Sequence, residues 1–465
     1  MILASIQETG VFHGKNEEAA HAKPDPRTNC FRGRQFALPL LLTSLIQQLY
    51  ATVDLLFCGN ILGTQATAAL GISALLITCL VGLMNGLSIG VNVVVAQLHG
   101  AKRHKAVLLV IRTVLIFSLI TGVLLVLIGY ALAPIYIEAM KTPSSVVSDA
   151  LSYLQIYLIA MLAIMLYNMA AGICRGLGDS WTPLKAQIVG GIGNIAANWV
   201  ALCVLDLGIV GIAGATLVSN GIAAFIVLRE VRQPHEDRAT SDLRSARFSV
   251  SALVSVLRIG LPVAAQSVAI TLSNIFVQHQ VDFLNVDAIA AFTTYLRVEL
   301  PIYYCILAIG QTTTTFVAQN HGAHDHERST RGIAVCQGLG IGVSLALSML
   351  LLLIGYWAFW IFSQNEAVIA YGQQLIAVTF PFYFIYAILE VQGDAIRGYG
   401  KSLGPALITL VNLCMVRTIL LYVLTWQSVD VFSIAITYPI TWAITAVCMV
   451  VYRIILELKF GHKLF

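Results

Sequence analysis

Nine stretches without a single Asp, Glu, Lys or Arg divide most of the chain: 55–101, 113–137, 150–174, 186–205, 207–228, 259–281, 332–365, 367–389 and 431–452. A helix of about 20 apolar residues crosses the roughly 30 Å hydrocarbon core of a bilayer, so each stretch is long enough to span. Charged residues make up 11% of the 465, with a mean hydropathy of +0.83, where a soluble domain carries roughly 25%. The expected solvent is lipid. The first stretch holds two half-spans around residues 59–65, and weaker spans near 288–320 and 404–426 fill the gaps.

The resulting expectation is an all-α integral membrane protein of twelve transmembrane helices. They fall near 36–58, 67–97, 107–137, 148–175, 183–205, 210–231, 250–281, 288–320, 328–361, 368–397, 404–426 and 432–455. Sorting the basic residues by alternate loops tests that count, because cytoplasmic loops hold the excess of Lys and Arg. One side collects Lys15, Lys23, Arg27, Arg32 and Arg34, then residues 102–105, Arg175, Lys185, the run from 229 to 258, and Arg328, Arg331, Arg397, Lys401, Arg453, Lys459 and Lys463. The other side receives Lys141 together with Asp206, Asp282, Asp287, Glu366 and Asp430. This bias predicts a multi-pass protein of the cell membrane with both termini cytoplasmic. The basic residues are spread over all the loops of one side, which suits orientation rather than nucleic-acid binding.

Three motifs occur twice at one offset. Ala96-Gln97-Leu98-His99-Gly100-Ala101 recurs as Ala318-Gln319-Asn320-His321-Gly322-Ala323, a shift of 318 − 96 = 222. Arg175-Gly176-Leu177-Gly178 recurs as Arg397-Gly398-Tyr399-Gly400, and Pro183 as Pro405, at the same shift. Leu38-Pro39 and Leu261-Pro262 agree within one residue. Duplication follows. Because each copy holds six helices, both copies insert the same way round, and parallel repeats of this kind place a substrate site between two lobes near the midplane. The expected organisation is a cytoplasmic tail over 1–35, an N-lobe over 36–231, a cytoplasmic linker over 232–249, a C-lobe over 250–456 and a short tail over 457–465. Residues 1–35 lack the apolar core of a signal peptide. The nine cysteines show no paired spacing and read as small packing residues.

The Ala-Gln-x-x-Gly turns, the Arg-Gly-x-Gly turns and the run Gly208-Ile209-Val210-Gly211-Ile212-Ala213-Gly214-Ala215-Thr216 resemble the multidrug and toxic compound extrusion (MATE) family over residues 34–455. A major facilitator chain would carry Gly-x-x-x-Asp-Arg between helices two and three, where this chain has Gly100-Ala101-Lys102-Arg103-His104. The resemblance implies a secondary active antiporter that exchanges protons or sodium for amphipathic, often cationic organic compounds by alternating access of two lobes.

Intramembrane ionisable residues are functional candidates because burying one costs about 2.5–3.5 kcal/mol on insertion scales. Asp54 is tolerated if it is protonated, binds a cation or faces water, and the alternative is an acid hydrogen-bonded inside the lobe next to a helix broken at Pro39. The resemblance places a proline and an aspartate at this spacing in the first helix and links that acid to bending, with Pro39 as hinge. Asn194 and Asn198 are four apart and share a helix face, as sodium ligands, proton-network partners or interhelical hydrogen-bonders. Asn168 is a weaker companion. Some relatives carry an acid where Asn198 stands, and their sodium-coupled branch has one in helix seven, where this chain has Gln266, Asn274, Gln278 and His279.

In the second half Glu390 and Asp394 share a face, as a second cation site or as counterions of Arg397 or Arg417. Arg297 and Glu299 point to different faces, with Arg417 the candidate partner of Glu299. His321, His324, Asp325 and His326 read as a solvated turn rather than a metal site. No cofactor beyond the coupling ion, no nucleic acid, membrane lipids as surroundings and a monomeric state complete the expectations. A lipid-linked saccharide flippase of the same superfamily would have about fourteen helices and a basic cavity, for which Arg297 and Arg417 are the candidates. A membrane-embedded transferase would need clustered acids or a His and Asp pair at a membrane face, so an enzyme is not expected. The sequence has no phosphate-binding Gly-rich loop with Lys and Ser or Thr, which leaves an ion gradient as the energy source.

Overall fold

The computed structural model describes residues 26–233, 247–426 and 429–460, and among these no strand occurs. The N-lobe has six helices: α1 (Pro26–Phe57, ending in a π-helical turn Cys58–Leu62), α2 (Thr64–Gly100), α3 (His104–Ala139), α4 (Ser144–Gly176), α5 (Trp181–Trp199, with a π-helical turn Val200–Val204) and α6 (Gly208–Arg232). The C-lobe repeats the order with α7 (Val250–Val281), α8 (Val286–Val298 and Leu300–Gly322), α9 (His326–Leu353 and Gly355–Trp360), α10 (Glu366–Thr379 and Tyr383–Gly398), α11 (Leu403–Thr409, a π-helical Leu410–Val416 and Arg417–Leu424) and α12 (Val431–Phe460). Eleven of these helices are long and apolar enough to cross a membrane. The twelfth, α8, is split after Val298. Pro301 has no N–H to give the carbonyl of Arg297, while Glu299 keeps helical angles of φ −75° and ψ −22°, so the helical register carries through the break.

Two helix ends extend five residues or more beyond those read in the sequence. α1 starts ten residues earlier, at Pro26, where proline suits the first helical turn. α12 continues to Phe460, supported by an Arg453–Glu457 ion pair of 3.3 Å at i,i+4, a spacing that favours helix. α1 also runs through Pro39 unbroken, with Thr43 Oγ1 donating to the Pro39 carbonyl at 2.7 Å. Most of the expected tail 1–35, most of the linker 232–249 and the end of the tail 457–465 lie outside the described residues.

The duplicated turns have duplicated backbones. Lys102 and His324 both adopt left-handed φ, at 55° and 58°, and Gly178 and Gly400 share φ of 90° and 81°. Glycine takes that region without the Cβ clash. Hydrogen bonds repeat as well, with Arg103 N to the Leu98 carbonyl at 3.0 Å matched by Asp325 N to the Asn320 carbonyl at 2.9 Å.

The lobes meet at the end of the bundle that carries these turns. Gln97 Nε2 donates to the Gly398 carbonyl at 2.9 Å and Gln319 Nε2 to the Gly176 carbonyl at 3.1 Å, so each Ala-Gln-x-x-Gly turn grips the Arg-Gly-x-Gly turn of the other lobe. Asn92 Nδ2 meets Thr315 Oγ1 at 2.9 Å, Arg175 Nη1 meets Gln311 Oε1 at 3.3 Å and, farthest from the turns, Tyr304 Oη donates to Gln48 Oε1 at 3.0 Å. α2 and α7 touch through Gly82, Gly86 and Gly90 against Ser267, Ala264 and Gly260. Beyond that level the same faces are exposed at Thr78 on α2 and Asn274 on α7. The result is a cleft closed at one end and open at the other.

Close approach at the closed end depends on the absence of side chains. A Cβ on Gly100 would sit 1.9 Å from the Gln319 carbonyl oxygen, and one on Gly322 would sit 2.0 Å from that of Gln97. Gly322→Ala should therefore weaken the seam and raise the alkylation rate of a cysteine placed at Asn92 by about tenfold, the equivalent of ~1.4 kcal/mol. Gly338→Ala on α9, where nothing lies within 4 Å, should leave that rate unchanged.

Candidate functional site

Inside the N-lobe three helices converge on one carboxylate. Asp54 of α1 is 6% exposed. Its Oδ1 accepts from Asn198 Nδ2 at 2.7 Å and Asn194 Nδ2 at 3.2 Å, both from α5, and its Oδ2 accepts from Thr216 Oγ1 of α6 at 2.9 Å. Asn198 Nδ2 also reaches Asn194 Oδ1 at 3.2 Å, while Asn198 Oδ1 is buried without a donor among the described residues. The two asparagines reach one point because four residues make about one helical turn. Tyr50 adds a second tie between α1 and α5, donating its hydroxyl to the Gln187 carbonyl. Its ring fits because positions 190 and 191 are glycine, where a Cβ would lie 2.8 Å and 2.7 Å from it. The π-helical turns Cys58–Leu62 and Val200–Val204 follow Asp54 and Asn198 directly, and such turns recur at functional sites.

Asn168 stands apart from this cluster. Its Nδ2 donates to the Ile164 carbonyl at 2.9 Å, and its own carbonyl accepts from Ser88 Oγ at 2.5 Å. Ser88 also accepts from Arg175 Nη2 at 2.9 Å. Asn168 thus joins α4 to α2 beside the seam and has no bond to Asp54. Conversely, Thr216 was not singled out from the sequence as a site residue. A threonine in an apolar helix usually bonds the carbonyl four residues back, as this one does to Ile212 at 3.2 Å.

The C-lobe gathers its charges differently. Arg397 Nη1 donates to Asp394 Oδ1 at 2.5 Å and lies 3.6 Å from Glu390 Oε1, while its Nη2 donates to Gln266 Oε1 of α7 at 3.0 Å. Glu390 and Asp394 therefore share one arginine, and a Cβ on Gly310 would fall 2.3 Å from Asp394 Oδ2. Glu299 and Arg417 lie within electrostatic reach of each other, but the direct contacts of each are with other groups. Glu299 Oε2 accepts from Tyr383 Oη at 2.5 Å, and Arg417 lies over the Tyr438 ring, 4.7 Å from its centre, with Nε donating to Thr441 Oγ1 at 3.4 Å. A cation on an aromatic face is stabilised by about 0.5–2 kcal/mol, which is how α12 accommodates Arg417 without an acid in contact. Arg297 is exposed and has no ion-pair partner among the described residues.

Comparison with known proteins agrees with the two-lobe geometry. The sequence family described as MatE matches residues 39–200 and again 262–423, an offset of 262 − 39 = 223. The chain belongs to the MatE family. Its curated relatives include "Probable multidrug resistance protein YoeA" of Bacillus subtilis, 26% identical over 88% of this chain and 90% of that one, and "Probable multidrug resistance protein NorM" of Thermotoga maritima, 22% identical over 82% and 83%. A solved structure described as the outward-facing conformation of a multidrug resistance MATE family transporter superposes with a TM-score of 0.86, covering 97% of this chain and all of the other at 20% identity. This MatE chain is thus a multi-pass membrane transporter with the family's repeated fold.

Thr216→Val keeps the shape of the side chain and removes one hydrogen bond to Asp54. It should lower stability by about 1.5–3 kcal/mol, the range for a bond to a charged group, read as a drop in the thermal midpoint of purified protein. Asn168→Ala should leave the Asp54 environment unchanged, measured as the reactivity of Asp54 towards a carbodiimide.

Proposed function

We propose that this MatE protein is a secondary active antiporter that exports amphipathic, often cationic organic compounds against an inward flow of protons or sodium. The observation that carries the reading is the Asp54 cluster: a membrane-embedded carboxylate held by two asparagine amide groups and a threonine hydroxyl, with Asn198 Oδ1 beside it as an acceptor left open among the described residues. Oxygen donors of this kind suit a hard cation, and a proton on Asp54 would equally serve Asn198 Oδ1. The relatives' names supply the drug-export half of the reading.

The arrangement of the two lobes supports alternating access. The reciprocal Gln97 and Gln319 bonds close one end and the faces of α2 and α7 part at the other. With the basic loops in the cytoplasm, the closed end is cytoplasmic and the cleft opens outward. A coupling ion shifts the balance of two access states only by binding them unequally, so Asp54 would change occupancy as the lobes rock about a site at midplane. The protein would act as a monomer among membrane lipids, with both termini cytoplasmic.

Asp54→Asn retains the size and hydrogen-bonding capacity of the side chain but fixes it neutral. Gradient-driven efflux from sealed vesicles should disappear, together with substrate-induced pH change, while folded yield and substrate binding persist. Wild-type rates in purified Asp54→Asn would show that the acid only braces the lobe. Running the assay with and without sodium separates the two ions. Reporter fusions should place Arg238 inside the cell and Glu366 and Asp430 outside; exterior labelling at Arg238 would reverse the orientation.

A further inference from the structure

The Asp54 cluster leaves unused a basic side chain that the cleft exposes at mid-depth. Arg297 is exposed and lies 297 − 286 = 11 residues into α8, about 16 Å along the axis at ~1.5 Å per residue. That is roughly half of the ~30 Å hydrocarbon thickness. A charge at this depth is expensive, and its retention marks a substrate or ion pathway.

Helical register decides where it points. Tyr304, Gln311 and Thr315 follow Arg297 at 7, 14 and 18 residues on α8, whole numbers of turns to within a fraction of a residue, and each of the three bonds to the N-lobe. Arg297 therefore continues the face that looks across the cleft. Glu299, two residues on, faces the other way and accepts from Tyr383 within the C-lobe.

No acid answers it from the opposite walls. Those walls are Ala37–Leu62 of α1, α2, and residues 260–281 of α7, and together they contain one acid, Asp54. Asp54 is buried in the N-lobe with both oxygens already bonded. In the C-lobe, Glu390 and Asp394 are turned to Arg397. A cationic solute reaching Arg297 would meet repulsion, whereas an acidic one would meet a positive charge with no ion-pair partner among the described residues. Low-dielectric walls focus that field, and a guanidinium offers a fork of donors that fits a carboxylate or phosphate.

We infer that Arg297 is the docking residue for an anionic group, so that the compounds this protein takes up from the cleft include amphipathic molecules with one carboxylate or phosphate. This rests on the export reading for the direction of transport but not for the binding itself. The floor of the site is the Tyr304–Gln48 hydrogen bond, two turns towards the closed end.

Equilibrium binding tests it on detergent-purified protein with two fluorescent probes that share one aromatic body, one bearing a carboxylate and one a quaternary ammonium. The acidic probe should bind wild type, lose about tenfold or more in affinity in Arg297→Gln, and recover part of it in Arg297→Lys. The cationic probe should bind Arg297→Gln more tightly than wild type. Equal affinity of the acidic probe for wild type and Arg297→Gln, or no binding to wild type, overturns the assignment. Repeating the titration in nanodiscs with and without phosphatidylglycerol identifies the source of the anion: Arg297-dependent competition by that lipid would make the ligand a headgroup and overturn the solute reading. Vesicle transport is scored separately. Wild type that binds the acidic probe but moves neither probe would sink the export function and leave the site standing.

Discussion

A carboxylate surrounded by lipid-facing helices has to find its donors within the protein, and in the N-lobe that requirement fixes three helices at once. Lipid tails give apolar side chains no reason to prefer a neighbouring helix, so helix association rests on close packing and interhelical hydrogen bonds. α1 is held by Asp54 to α5 and α6 and by Tyr50 to α5, with glycines at 190 and 191 admitting the tyrosine ring. A hydrogen bond to a charged group contributes about 1.5–3 kcal/mol, so the three bonds to Asp54 are a large fraction of what positions α1. Neutralising Asp54 weakens all three together. The same helix carries Gln48, whose bond to Tyr304 is the inter-lobe contact nearest the open end of the cleft. A change of charge at Asp54 is thus connected, through one helix, to the boundary of the substrate space.

The closed end is built for reversibility. Its bonds join side-chain amides to glycine carbonyls and an asparagine to a threonine, neutral pairs whose net contribution is about 0.5–1.5 kcal/mol each, with the Arg175–Gln311 bond the one that involves a charged group among those named. Glycines at 86, 90, 100 and 322 bring backbone against backbone, which provides dispersion contact without knobs that would have to slide past one another. Such a seam can release as a unit.

Much of this was legible from residue spacing alone. The charge-free stretches gave the helices to within a few residues, and the 222-residue offset gave two lobes whose turns later proved to share even their left-handed positions. Asn194 and Asn198 could be placed on one face by their separation of four. What spacing could not give was which faces look at each other. Asn168 reads as a companion of the two asparagines and Thr216 as part of a glycine-rich run, and only the packing of α6 against α5 brings Thr216 to Asp54 while α4 carries Asn168 to α2. A buried cation demands compensation, which points to Glu299, but spacing does not reveal that the guanidinium rests on the Tyr438 ring of α12. The proline at 301 is plain in the sequence, but the persistence of helical angles through Glu299 is not.

The two lobes are copies in backbone and not in chemistry, and the difference has a direction. At the repeat offset, Asn194, Asn198 and Thr216 correspond to Val416, Leu420 and Tyr438, while Asp54, with its neighbour Pro39 matched at 223, corresponds to Val277. The C-lobe has therefore lost or never had the oxygen-rich cluster, and Tyr438 instead carries the Arg417 guanidinium on its ring. Conversely Asn168 corresponds to Glu390, which helps balance Arg397. If both lobes held an ionisable carboxylate with amide partners, binding an ion would bias both in parallel. With one such cluster, an ion held at Asp54 would load a single lobe, and the other, with Arg297 exposed on α8, would be left to respond to the solute. On the proposed reading, asymmetry between the copies would separate the site that binds the ion from the site that meets the solute.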